Sequence, residues 1–158
     1  PDDGERERKV QKFLAKRYEP FVEYAKKILF EKVNNVIISN RLTTEPCVVV
    51  ADTYGHSSFM DKIQKAQMFN SNSDDNPLSD FKKILEINPH HKVIQIILDK
   101  INDPFYNSEN QADTTVEELV SLLYETAAFH SGFASSDANE FSKKFYQIYS
   151  KALGVISM

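Results

Sequence analysis

The spacing of apolar residues at the start of the chain predicts two consecutive helices. Residues 5–32 favour helix except at Pro20, which lacks an amide proton and is best tolerated in the first turn of a helix. We therefore expect the two helices to meet near Tyr18. The second helix carries a broad apolar face, which consists of Phe21, Tyr24, Ala25, Ile28 and Leu29.

Three short segments predict a small sheet. Residues 36–39 and Cys47–Ala51 are β-branched runs separated by a turn-forming Thr-Thr-Glu-Pro segment, and we expect them to be neighbouring strands. Lys83–Ile87 alternates apolar and polar residues and stops before an Asn-Pro pair, which favours a third strand. The predicted fold class is α+β, with helices packed on a mainly antiparallel or mixed three-stranded sheet.

Residues 54–69, YGHSSFMDKIQKAQMF, begin like a turn and continue like an amphipathic helix. At about 100° per residue, Phe59, Ile63 and Ala66 share one face, with Met60 and Phe69 on its two flanks. A long polar loop follows this segment. The apolar face therefore either docks on the sheet or stays partly exposed to bind another protein.

The last third of the chain predicts a helical hairpin with recognisable caps. Its first arm starts after Asp113 or Thr114, because Glu117, three residues beyond Thr114, completes a capping box. Gly132 supplies the left-handed conformation that ends this arm.

The second arm of the hairpin starts at Asp137, with Glu140 as its box partner, and closes at Gly154. Each arm has about fifteen residues, and a short loop joins them. A shorter helix over residues 92–101 and a polar insertion over residues 102–113 come before the hairpin.

Apolar residues cover more of the hairpin's circumference than one core-facing stripe requires. On the first arm they are Val116, Leu119, Val120, Leu123 and Ala127, extended by Leu122, Thr126 and Phe129. On the second arm they are Phe141, Phe145, Ile148 and Ala152, widened by Tyr146, Tyr149 and Leu153. Two apolar faces need two partners, so we expect one face on the domain's own core and the other on a second copy, as an intermolecular four-helix bundle. The alternative is that one monomer covers both faces.

Composition and charge fit one globular domain. The chain has 158 residues, 41% of them hydrophobic, and a net charge of −4, which disfavours a nucleic-acid partner unless the cations are segregated. Apolar runs are far shorter than the roughly 18 residues needed to span a bilayer, so we expect no membrane partner. Cations crowd the start of the chain, but Glu5, Glu7 and Glu19 lie among them at helical spacing, which indicates a solvated helix face. These cations are Arg6, Arg8, Lys9, Lys12, Lys16 and Arg17.

The sequence offers little catalytic chemistry. Cys47 is the only cysteine, which rules out an internal disulfide, and its apolar strand predicts an inert thiol. His90 and His91 are adjacent and would point apart on a strand or loop, while His130 lies near a helix end. No phosphate loop, nucleophile elbow or paired-cysteine spacing occurs. We expect no catalytic site, no cofactor and no metal in this chain.

Seven motifs occur in order along the chain: Ser39-Asn40-Arg41-Leu42, Pro46-Cys47, Tyr54-Gly55, Met60 with Lys65-Ala66-Gln67, Leu85-Glu86-Ile87-Asn88-Pro89, Leu122-Leu123-Tyr124-Glu125-Thr126-Ala127 and Ser131-Gly132-Phe133. Together they resemble the C-terminal domain of the ninety-kilodalton heat-shock chaperone family, over residues 19–153. The resemblance implies that residues 19–158 are a dimerisation domain. Residues 1–18 would be a helix of this domain or the tail of a preceding middle domain.

The resemblance also implies two sets of contact residues. A homodimer interface would use Leu119, Leu122, Leu123, Thr126, Ala127, Phe129, Phe133, Phe145, Ile148, Tyr149, Ala152 and Leu153. Binding of non-native client proteins would use Tyr54, His56, Phe59, Met60, Ile63, Met68 and Phe69. Many relatives carry a tryptophan where this chain has His56, so we expect a weaker contact there. ATP and Mg²⁺ would bind a separate N-terminal domain.

The alternative function is a monomeric helical adaptor module that binds one specific partner. Under the chaperone interpretation the partners are the chain itself, client proteins and co-chaperones. Because the chain opens at Pro1 without a signal-like segment, we expect a piece of a longer protein. Residues 84–89 and 122–133 look slightly more like plastid-type relatives, so we expect an organelle, plastid or endoplasmic reticulum, with the cytoplasm as the alternative.

Overall fold

The computed structural model describes residues 2–52, 82–104, 115–133 and 138–154. Within them the chain forms five helices and a three-stranded sheet, which confirms the α+β class. The elements are α1 (Asp2–Arg17), α2 (Glu19–Ile28), β1 (Val33–Ile38), β2 (Cys47–Ala51), β3 (Lys83–Ile87), α3 (Lys92–Asn102), α4 (Val116–His130) and α5 (Ala138–Ala152).

The sheet is mixed, with the order β1-β3-β2. Strand β3 pairs parallel with β1 and antiparallel with β2, so the expectation that β1 and β2 are neighbours is wrong. Asn88, just after β3, binds the β1–β2 loop: its side chain donates to Glu45 O at 3.0 Å and its N–H to Pro46 O at 2.8 Å. The β1–β2 loop is thereby held across the end of the central strand.

One face of the sheet supports the helices that form the core. Leu85 and Ile87 of β3 are fully buried and meet Phe21 of α2 and Ile94 of α3 in one hydrophobic cluster. Tyr18, between α1 and α2, belongs to the same cluster and donates its hydroxyl to Pro89 O at 2.7 Å. Pro20 lies at the start of α2, where its missing N–H costs no intrahelical bond.

The opposite face of the sheet carries a buried carboxylate that is paired with an exposed arginine. Glu86 of β3 has a side chain only 7% exposed, and Arg41 binds it through two nitrogens, Nη2 at 2.7 Å and Nε at 3.1 Å. Ser39 Oγ accepts from the N–H groups of Arg41 and Leu42, which shapes the loop that carries the arginine. A bidentate pair of this kind satisfies a carboxylate that burial would otherwise penalise.

On each edge strand of the sheet, one outward-facing backbone N–H donates a hydrogen bond to a side chain. On β1, Val36 N–H donates to Asn35 Oδ1 at 2.9 Å, next to a register shift between Val33 and Asn35. On β2, Val49 N–H donates to Ser131 Oγ at 3.3 Å, at the end of α4. These N–H groups face away from β3, because alternate residues of a strand direct their N–H groups to opposite edges.

The caps differ from the prediction by one residue at α4. Thr115, and neither Asp113 nor Thr114, is the N-cap, and its Oγ1 accepts from Glu118 N–H at 3.2 Å. Threonine is a suitable N-cap at either position, so the residue type alone does not decide between Thr114 and Thr115. Gly132 has a φ of 87°, which confirms the predicted left-handed stop, and Gly154, where the second arm was predicted to close, has a φ of 77°. The predicted cap Asp137 lies outside the described residues.

Candidate protein-interaction surface

Helix α4 is fixed to the core and sheet by one face. Val116, Val120, Tyr124, Ala127 and Ala128 of this helix are buried in the core cluster. Their spacing of three or four residues places them on one side of the helix.

Contacts with the sheet also hold the end of α4 in place. Ser131 Oγ accepts from β2, as described above, and the Lys83 ammonium lies 4.8 Å from the centroid of the Phe133 ring. The Cys47 thiol points to Leu123 O at 4.0 Å. The first arm of the hairpin is therefore attached to the sheet at its end as well as to the core.

Helix α5 packs against α4 on the side away from the core residues named above. Two ion pairs fix its position along α4. Lys144 binds Glu125 at 3.1 Å and Lys151 binds Glu118 at 3.2 Å. The two lysines are seven residues apart on α5, and so are the two glutamates on α4. Since seven residues are about two helical turns, the pairs lie one above the other and fix the antiparallel register.

Glu125 is the most constrained of these groups. Its Oε1 accepts from Lys144 and from Lys32, each at 3.1 Å, while its Oε2 is buried with no hydrogen-bond partner. The Lys32 ammonium also lies 5.8 Å from the centroid of the Tyr124 ring. Burial, and secondarily the charge of Glu125, raise the pKa of Tyr124. One carboxylate thus joins the turn before β1 to both arms of the hairpin.

The outer face of α5 is apolar and uncovered by the described residues. Phe145, Tyr146, Tyr149 and Leu153 are 43%, 65%, 54% and 64% exposed, and no residue of α5 is buried. The Phe145 ring stacks on Tyr149 with centroids 5.9 Å apart and meets Tyr146 edge-on at the same distance. On α4, Phe129 is 73% exposed. Clustered aromatic side chains at such exposure are typical of a protein-binding surface.

The structure divides the twelve residues predicted for the dimer interface. Thr126, Phe129, Phe145, Tyr149, Ala152 and Leu153 are exposed, and Leu119, Leu122, Leu123, Phe133 and Ile148 are partly buried. Ala127 lies in the chain's own core, on the opposite side of α4 from Phe129. Leu123 and Phe133 also pack against that core. Of the predicted interface residues, Phe145, Tyr149 and Leu153 lie together on the exposed outer face of α5.

Sequence reasoning missed the polar half of this surface. Glu118, Glu125, Lys144 and Lys151 did not enter the predicted site, although acids on one arm and bases on the other at the same seven-residue spacing could have indicated two ion pairs between the arms. The predicted client-binding residues all lie outside the described residues.

The other candidate groups have structural surroundings. Cys47 is buried, and burial raises the pKa of its thiol to about 12. His91 caps α3, with Nδ1 accepting from Val93 N–H at 3.1 Å. In the described ranges, no three His, Cys, Asp or Glu residues come together in a way that could hold a metal ion. None of the helices described is long and apolar enough to cross a membrane.

Comparison with known proteins gives the family. The model of the Hsp90 protein family matches residues 1–158. A human protein described as putative heat shock protein HSP 90-beta-3 is 36% identical over 154 residues, which are 98% of this chain and 24% of that protein. The chain therefore belongs to the Hsp90 family, and it spans about a quarter of the length of this curated relative.

Proposed function

We propose that this chain is the C-terminal part of an Hsp90-type, ATP-dependent molecular chaperone, and that α4 and α5 hold two protomers together. The observation that carries the proposal is the apolar outer face of α5, on a helix whose inner face is already anchored to α4. Family membership supports the chaperone class. Residues 19–158 would form the dimerisation domain.

A two-fold axis beside α5 would pair the apolar faces of two hairpins. Each hairpin contributes two antiparallel helices, so the pair would form a four-helix bundle with Tyr149 and Leu153 near its centre. An interface of standard size buries about 800 Å² per partner and supports micromolar to nanomolar dissociation constants. The two Lys–Glu pairs would present α5 in one orientation, which lowers the ordering cost of association.

Sedimentation equilibrium over several concentrations tests this proposal. We expect a molar mass of about twice 18.1 kDa. Replacing both Tyr149 and Leu153 with serine should raise the dissociation constant at least thirtyfold, which corresponds to about 2 kcal/mol. These positions are cleaner probes than Leu123, which also packs against the core.

Phe30→Ser and Ile96→Ser are the matched controls, because these side chains are 62% and 44% exposed but lie outside the hairpin. They should leave the dissociation constant unchanged. A wild-type chain that sediments as a monomer at every concentration would instead support the monomeric adaptor.

Residues 54–69 are the proposed contact for non-native client proteins. The support is their apolar stripe in the sequence, which includes Phe59, Met60 and Ile63, because unbranched, polarizable methionine suits promiscuous contacts. Light scattering by chemically unfolded citrate synthase, diluted with or without this chain, measures the activity. Phe59→Ser with Ile63→Ser should abolish protection, and Gln64→Ser should retain it. Equal protection by both variants would remove this segment from the client site.

We propose no catalytic centre in this chain. Its buried thiol and its capping histidine have structural roles, and ATP and Mg²⁺ would bind an N-terminal domain. An ATPase assay of the purified chain should give the buffer rate. A rate above background that survives repurification would contradict this assignment.

A further inference from the structure

Helix α1 is docked to the domain along one side only. Leu14 and Tyr18 are buried in the core, whereas Val10 and Phe13 are 43% and 63% exposed. At about 100° per residue, Val10 and Phe13 lie within about 60° of each other, on a side adjacent to the buried one. In the described part of the chain, nothing covers these two side chains enough to bury them.

The same side of α1 is lined by cations. On the helical wheel Arg6 and Arg17 fall between Val10 and Phe13. Lys9 and Lys16 lie next to Phe13, on the side away from Val10. All four cations are exposed. We call these six residues the α1 face: Arg6, Lys9, Val10, Phe13, Lys16 and Arg17.

Acidic residues do not neutralise the α1 face. Glu5 reaches Lys9 at 3.7 Å, but both side chains are more than 70% exposed, and such a pair contributes little. Glu7 lies on the other side of Val10 from Phe13. Helix α1 contains six cations and four anions, a net charge of +2, whereas the whole chain has a net charge of −4. The charge of α1 is therefore opposite to that of the remainder.

We propose that the α1 face binds an acidic segment of another protein, with hydrophobic side chains at its centre and carboxylates at its ends. The hydrophobic centre would cover Val10 and Phe13, and the carboxylates would pair with Arg6 and Lys9 at one end and with Lys16 and Arg17 at the other. The face is about 17 Å long, at about 1.5 Å per residue between Arg6 and Arg17, so it matches roughly three turns of a helix.

Two other anionic partners fit this surface less well. A helix that lies on a bilayer needs a long apolar face, and here only two apolar side chains are available. A nucleic acid would bring a long polyanion against the acidic remainder of the chain, which repels it. A short acidic peptide avoids both problems.

Fluorescence anisotropy with a labelled twelve-residue helical peptide tests the proposal. The probe carries glutamates in its first and last turns and leucine and phenylalanine between them. We expect a micromolar dissociation constant that rises with salt, because exposed charges are screened. A peptide with serines in place of the apolar residues, and one with lysines in place of the glutamates, should each bind at least tenfold more weakly.

Protein variants locate the binding site. Phe13→Ser and Arg17→Glu should each weaken peptide binding at least tenfold, and because both side chains are exposed their thermal unfolding should match the wild type. Lys27→Glu, an equally exposed charge reversal on α2, is the control and should bind normally.

Failure to bind the acidic peptide, or normal binding by both variants, would overturn the proposal. So would a preference for phosphatidylserine vesicles or for single-stranded RNA over the peptide, if that preference is lost in Arg17→Glu. Sedimentation of the same variants should still give dimers, so this result is separable from the test of the hairpin.

Discussion

Glu125 on α4 and Lys144 on α5 form one of the two ion pairs between these helices, and the Glu125 oxygen that accepts from Lys144 also accepts from Lys32. The Glu125 side chain is 10% exposed, while the two lysines are 33% and 42% exposed. Because Glu125 is the most buried of the three, it depends on the two lysines to compensate its charge. Either lysine alone can compensate its charge, but removal of both leaves a buried anion.

This arrangement predicts strong coupling between the two lysines. Lys144→Met and Lys32→Met should each cost about 1 kcal/mol of unfolding free energy, because the other cation remains. The double variant should cost at least about 3 kcal/mol, since Glu125 then lies buried without a cation. Urea unfolding at one fixed protein concentration measures the cycle. Lys151→Met is the control, because its partner Glu118 is 41% exposed, and strict additivity of the two lysine variants would contradict the shared-carboxylate account.

Gly132 predicts a purely conformational cost at the end of α4. Its φ of 87° is unfavourable for any residue with a Cβ, and a Cβ built there meets no atom within 4 Å. Gly132→Ala should therefore destabilise the chain by about 1 kcal/mol without any clash.

Gly4→Ala is the matched control for that experiment. Its added Cβ also meets nothing within 4 Å, but Gly4 lies in α1 with ordinary helical backbone, so alanine should be neutral or stabilising. Thermal unfolding of both variants gives the comparison. Equal effects would mean that the left-handed turn does not determine the cost.

Cys47 should be unreactive until the domain opens. The residue is 5% exposed, and burial raises the pKa of its thiol to about 12, so the reactive thiolate is scarce at pH 8. Labelling with Ellman's reagent should be slow in buffer and stoichiometric in denaturing urea. Rapid labelling of the native chain would mean that the contact between β2 and α4 opens easily.

Stability should fall at alkaline pH because of buried phenols. Burial raises the pKa of Tyr124 above that of the unfolded chain, which is about 10. The unfolded state therefore loses its proton first, and the contribution is complete below pH 10 and is lost as pH rises through the folded pKa. Tyr124→Phe should reduce the slope of unfolding free energy against pH above 10 and leave it unchanged between pH 7 and 9. A slope identical to wild type would exclude Tyr124 as a source of the alkaline loss.

The helices of this chain could be predicted more fully than its sheet. The apolar faces of α2 and α4, the break before Pro20 and the glycine stops all follow from local periodicity and backbone preference. The order of the strands does not, because alternation determines which side of a strand is buried and carries no information about its neighbour. The insertion of β3 between β1 and β2 is accompanied by contacts distant in sequence, such as the hydrogen bond from the Asn88 side chain to Glu45 O in the β1–β2 loop.

The hairpin also shows how far local periodicity can predict the structure. An excess of apolar residues predicted two faces, and α5 does expose Tyr146, Tyr149 and Leu153. Which residues lie on which face was less clear, because the angular difference between Ala127 and Phe129 on α4 becomes informative only once the core is located. The three-way contact of Glu125 involves residues 93 and 19 positions away along the chain, beyond the reach of helical periodicity.

The side chains that accept hydrogen bonds from Val36 N–H and Val49 N–H affect how copies of this chain can aggregate. Amyloid-type growth extends a sheet by recruiting strands onto unpaired edge groups, and here Asn35 and Ser131 already use one such group on each outer strand. On heating or at high concentration, copies of this chain should therefore associate through the exposed aromatic face of α5 rather than by adding strands to the sheet.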